Sequence, residues 1–224
     1  MEKKEVFSTL NEIRNLMEKS SRFLSLDGMS AIFVGIYACI AAVVAYYMLG
    51  GSGHLSWNFI EFPRLNVNTP YRLQLMLIFA VLLVILCLAT VLFFSFRKAK
   101  RNHQRFVFDR IAQRMLWNFF LPLVAGGILC LSLIWQQHYG LTSSIMLIFY
   151  GIALINVSNY TYSNTRYLGY AELILGLADS FVQGHALGFW TVGFGFFHII
   201  YGIFFYLKYD RKGKQPATRS NDAQ

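Results

Sequence analysis

Residues 166–207 read RYLGYAELILGLADSFVQGHALGFWTVGFGFFHIIYGIFFYL. Two apolar arms flank the short turn Val182-Gln183-Gly184-His185, and both carry glycines seven residues apart. These are Gly169 and Gly176 on the first arm, then Gly188, Gly195 and Gly202 on the second. Seven residues is close to two helical turns, so each set keeps to one helix face with only ~20° of drift. In lipid no hydrophobic force draws helices together, and small residues are what let two backbones approach. The stretch therefore reads as a membrane hairpin whose arms pack through their glycines. The same arms hold the ionisable side chains that fall in mid-segment: Glu172, Asp179 and His198.

Outward from the hairpin, the 224-residue chain is 56% hydrophobic and only 14% charged, where a globular domain is about a quarter charged. A bilayer core takes ~20 apolar residues per helix, and six such runs lie at 29–49, 75–96, 116–135, 141–158, 167–182 and 186–207. Lipid leaves backbone groups no partner but each other, so the runs are helices. The expected fold is an all-α integral membrane protein of six transmembrane helices. Residues 1–28 form a cytoplasmic amphipathic segment, 29–207 the membrane domain and 208–224 a polar, disordered cytoplasmic tail.

Charge fixes the expected orientation. Lys and Arg number 5 in 1–28, 2 in 50–74, 7 in 97–115, one (Arg166) in 159–166 and 5 in 208–224. Six spans place nearly all of them on one side, and positive residues stay cytoplasmic. Both termini are then cytoplasmic and the chain sits in the inner (plasma) membrane. The basic run Arg97, Lys98, Lys100, Arg101 and Arg105 reads as a contact for anionic lipid headgroups, each worth ~1 kcal/mol near the surface; topology determination explains it as well. Nucleic acid is excluded as a partner, because no recognition fold fits so short a loop. A second copy of the chain or a larger membrane complex stays open.

Ahead of the first span, Val6, Leu10, Ile13, Met17 and Leu24 recur at helical spacing. That pattern predicts an interfacial amphipathic helix, apolar face down. Gly28 and Gly35 repeat the seven-residue spacing on span one, while span two is almost wholly aliphatic and expected at the periphery. The packed centre is expected from spans one, five and six. Cys39, Cys87 and Cys130 all lie inside apolar runs, an odd set that implies no disulfide framework.

Glu172 and Asp179 share one face of span five, ~10.5 Å apart along its axis. His198, running back on span six, falls at a depth between them. All three can face one seam, with Asn156 and Asn159 lining its cytoplasmic mouth. A charged group at mid-membrane costs ~2.5–3.5 kcal/mol or more and marks a functional site by default. Interhelical hydrogen bonding that locks the bundle, worth only ~0.6–2 kcal/mol per bond, is the competing reading. No phosphate loop, nucleophile elbow, redox CxxC or zincin motif occurs, and neither HxxxH nor ExxH spacing, so no metal and no cofactor is expected. The reading that follows is a non-enzymatic membrane protein with a small polar site between helices 4–6, taking a small ligand, lipid or proton for sensing, transport or assembly. An intramembrane enzyme using Glu172 and His198 as acid and base, or a structural subunit, are the alternatives.

The pattern Arg166-x2-Gly169-x6-Gly176, a turn with Gly184, then Gly195-x6-Gly202-Ile203 resembles the hairpin unit of HdeD-like six-span membrane proteins. The likeness covers about 40 residues and is echoed by Gly28 and Gly35. It implies a six-span bacterial inner-membrane protein, of a kind associated with acid resistance.

Overall fold

The structure, a computed structural model, describes residues 28–48, 70–101, 110–161, 165–182 and 184–210. The expected amphipathic helix, Arg105, most of the 50–74 loop and the tail beyond 210 lie outside them. Helix accounts for 93% of the structure, and no strand occurs among the described residues.

Helix α1 is Gly28–Met48, α2 is Pro70–Arg101 and α3 is Arg110–Trp135, unbroken across Pro122. A single 3₁₀ turn, Tyr139–Leu141, leads into α4, Thr142–Val157, and α5 is Thr165–Phe181. The C-terminal helix is wound in four consecutive pieces. Ala186–Trp190 (α6) and His198–Phe205 (α7) are α-helical, whereas Thr191–Phe197 and Tyr206–Asp210 are wound as π-helix. Among the described residues, five helices are long and apolar enough to cross a membrane. At 17 residues and ~1.5 Å per residue, α5 is roughly 26 Å long, a little less than the ~30 Å hydrocarbon core. It also carries Arg166, Glu172 and Asp179.

The apolar runs end where expected to within a few residues, with one exception. The charged residues around span two do not stop its helix, because Arg and Lys are good helix formers. Arg97, Lys98, Lys100 and Arg101 therefore continue α2, and Arg110 and Arg114 open α3. Helix α2 buries Ser95 but nothing in its most apolar stretch, which puts it at the rim as expected. Phe94 stacks on Phe33 of α1 at 5.5 Å.

The glycine stripes do not pack against each other across the 165–207 hairpin. Each arm finds a different partner. On α5, a Cβ at Gly169 would lie 2.8 Å from the Gly151 carbonyl of α4, and one at Gly151 would lie 2.7 Å from the Gly169 carbonyl. One turn pair further, Gly176 rests on Leu147 and Ile148. On the C-terminal helix, Gly202 meets Gly28 and Gly195 meets Gly35 and Cys39 of α1. Gly188 is half-buried at the start of α6. A glycine stripe says that a backbone can be approached; it does not say by whom. The partner is set by a matching glycine, and α4 and α1 supply Gly151, Gly28 and Gly35.

The two crossings share one construction. The residue four beyond a glycine covers the facing glycine: Ile32 over Gly202, Ile199 over Gly35, Ile155 over Gly169 and Leu173 over Gly151. The residue three beyond points to the inside, since i and i+3 share a face. Those positions are Ala31, Ala38, Leu154, Glu172, Asp179, His198 and Phe205, and all are buried. The packing that brings backbones together is thus what sends Glu172, Asp179 and His198 inward.

Candidate functional site

Helix α4 presents Tyr150, α5 presents Glu172 and α7 opens with His198. Glu172 is fully buried, and His198 retains 4% of its exposure. The phenol oxygen of Tyr150 lies 2.7 Å from His198 Nε2. The other ring nitrogen, Nδ1, lies 3.1 Å from the Gly193 carbonyl and 3.5 Å from Glu172 Oε1. A carbonyl only accepts, so Nδ1 carries the hydrogen and donates to Gly193; Nε2 is then the acceptor and Tyr150 the donor. Tyr150 also stacks on the imidazole at 5.4 Å, and Phe194 flanks both rings.

Glu172 sits behind this chain with no donor of its own. Neither Oε1 nor Oε2 has a hydrogen-bond partner among the described residues. Gly193, within the π-helical segment, is what makes room for the carboxyl. A Cβ at Gly193 would lie 2.5 Å from Glu172 Oε2 and would also strike Leu147 Cδ2. Widened π turns of this kind recur at functional sites.

Asp179 does not join Glu172 and His198. One turn pair along α5, it reaches the first turn of α4, where Ser143 and Ser144 both donate to its Oδ2, the latter at 2.8 Å. An acidic group near the amino end of a helix is favourably placed, and Asp179 meets the start of α4 through these two hydroxyls. Its Oδ1 remains buried and has no partner among the described residues. At the opposite end of α5, Thr165 hydrogen-bonds the Tyr201 hydroxyl at 3.0 Å. Thr165, Glu172 and Asp179 thus form a polar ladder at seven-residue intervals along one buried face.

The two asparagines are not drawn to Glu172. Asn159 is exposed and accepts from the Arg166 guanidinium at 2.8 Å, while Arg166 Nε donates to Ser158 at 3.2 Å. Together they staple the α4–α5 connection. Asn156 is half-buried in the last turn of α4. Arg97 and Lys100 are exposed on α2. Among the described residues no three His, Cys, Asp or Glu side chains are grouped so as to hold a metal ion.

Three site members escape the sequence reading: Tyr150, Gly193 and Leu147. Gly193 alone left a trace, because it stands outside the 188–195–202 series. Its only evident use is to make space. No family model matches the chain, and no curated protein or solved structure matches it either.

Proposed function

We infer that the chain is a six-span inner-membrane protein with both termini cytoplasmic, and that its bundle centre is a proton-binding site. Glu172 is the proton carrier, His198 and Tyr150 are its relay, and the site serves proton-dependent sensing or transport. The observation that carries this reading is the Glu172 carboxyl: fully buried, 3.5 Å from His198 Nδ1, with both oxygens lacking a hydrogen-bond partner among the described residues. Among the described residues, a carboxylate so placed has only the His198 Nδ1 hydrogen, 3.5 Å away and already given to Gly193, to offset its desolvation. A proton is the smallest species that completes it, and it needs no more room than the packed seam offers. A bundle lock would look different, since a structural carboxyl is found with donors in place, as Asp179 is.

Charge supports the orientation. The ends of α2, α3 and the C-terminal helix that carry Arg97, Lys100, Arg110, Arg114 and Lys208 lie together with Arg166 in the alternating order of the helices. Proton uptake by the purified full chain tests the function. Glu172→Gln keeps size and polarity but removes the titratable group; it should lower the number of protons bound and leave the folded state intact. Equal uptake by wild type and Glu172→Gln would remove the reading.

The Tyr150–His198–Glu172 order supports a second reading, acid–base catalysis inside the membrane. It requires that a substrate reach the Tyr150 hydroxyl. Loss of proton uptake with Glu172→Gln but not with Tyr150→Phe favours proton binding over acid–base catalysis.

A further inference from the structure

Along the α4–α5 seam the side chains form levels. Ser143, Ser144 and Asp179 make the first, close to the rim, where Phe181 and Val182 two and three residues on are exposed. Glu172, His198 and Tyr150 make the third. Between them lies Leu147, fully buried, its Cβ 2.8 Å from where a Cβ on Gly176 would be. Its Cδ2 faces Gly193 from the same side as Glu172 Oε2, and Leu175 Cδ2 closes the remaining side, 3.3 Å from a Cβ at that glycine. Beyond the third level, the seam is shut by Gly151 against Gly169. That closure is backbone on backbone, and opening it means parting two helices. Leu147, fully buried, closes by a side chain, and side chains change rotamer without parting two helices.

We propose that Leu147 is a hydrophobic gate, and that water and protons reach Glu172 past it from the polar vestibule of Asp179, Ser143 and Ser144. The proposal rests on Glu172 being the proton-binding group. Two glycines frame the gate, Gly176 and Gly193, and Leu147 fills the space that their missing side chains leave. The vestibule offers what a proton at the rim needs: Asp179 Oδ1, an acceptor with no hydrogen-bond partner among the described residues, beside two hydroxyls that donate to Oδ2. The axial gap from Asp179 to Glu172 is seven residues, roughly 10.5 Å at ~1.5 Å per residue. A short file of water spans that distance once the leucine has moved.

Access to Glu172 can be read by a water-soluble carbodiimide on the full chain in nanodiscs, with modification located by peptide mass spectrometry. Wild type should react slowly at Glu172. Leu147→Ala should react about tenfold faster, the change in open population that a ~1.4 kcal/mol weaker seal would produce. Leu147→Val, which disturbs packing less, should fall between them. Ile155→Ala opens the packing on the far side of the Gly151–Gly169 crossing, where Ile155 covers Gly169, and should react like wild type. Unchanged reactivity in both Leu147 variants overturns the gate, as does an equal rise with Ile155→Ala. Failure of the proton-binding reading appears elsewhere, as unaltered proton uptake by Glu172→Gln, and leaves the carbodiimide result legible.

Discussion

Glu172 Oε2 stands against the backbone of Gly193, 2.5 Å from the point a Cβ would occupy there. The carboxyl therefore owes its place to a missing side chain on the facing helix. Gly193→Ala should displace both Glu172 and Leu147 and destabilise the protein by ~1–3 kcal/mol, as overpacking of a filled core does. Thermal unfolding in detergent checks the stability. Proton uptake falling together with stability is the expected outcome.

Gly151 and Gly169 carry the α4–α5 crossing, with each Cβ position under 3 Å from the other's carbonyl. Gly151→Val should part the two helices and cost at least ~1–3 kcal/mol. Gly127, on α3, has open space around its Cβ position. Gly127→Ala should be neutral or slightly stabilising, since glycine is the poorer helix former by ~1 kcal/mol. Melting temperatures of the pair separate close packing from general intolerance at membrane glycines.

Much of this fold is legible in the sequence, and the reasons are physical. Continuous apolar runs force helices, so the elements could be read to within a few residues. Helix α2 outruns its apolar run 75–96 because Arg and Lys are good helix formers and an apolar run marks the membrane stretch and not the helix end. The inward direction of Glu172 and His198 was readable too, since both stand three residues after a close-packing glycine. Partner choice was not readable. Heptad glycines at 169/176 and 195/202 are compatible with each other, and only Gly151, Gly28 and Gly35 decide that they pack elsewhere. That choice separates Asp179 from Glu172 and hands it to Ser143 and Ser144. Tyr150 was hidden for a related reason: an aromatic residue in an apolar helix has no periodic signature, and its role exists only in the 2.7 Å bond to His198.

Asp179 should prove structural in the first instance. It holds Ser143 and Ser144 at the start of α4 while 3% exposed. Asp179→Ala leaves two buried hydroxyls without their acceptor and should cost ~1–3 kcal/mol. Asp179→Asn keeps an acceptor and should recover most of that loss. Unfolding midpoints of the two variants measure the difference, and equal destabilisation would show that the charge against the helix end matters more than the hydrogen bonds.

Tyr150→Phe removes the donor to His198 Nε2 while preserving the stack on the imidazole. The expected loss of stability is small, about 0.6–1.7 kcal/mol, the range for hydrogen bonds between membrane helices. The Gly193 carbonyl still accepts from Nδ1, so the tautomer should hold while Nε2 loses its donor. Nitrogen NMR of isotope-labelled histidine reads this directly: both proteins should show Nδ1 protonated, and Tyr150→Phe should differ in the Nε2 shift alone.

Whether Glu172 takes up a proton at the bundle centre is the central claim, and infrared difference spectroscopy between two pH values tests it on the carboxyl itself. Wild type should show a carboxylic C=O band characteristic of a buried acid, and Glu172→Gln should lack it while the Asp179 contribution stays unchanged in both. Superimposable difference spectra for wild type and Glu172→Gln would contradict the account.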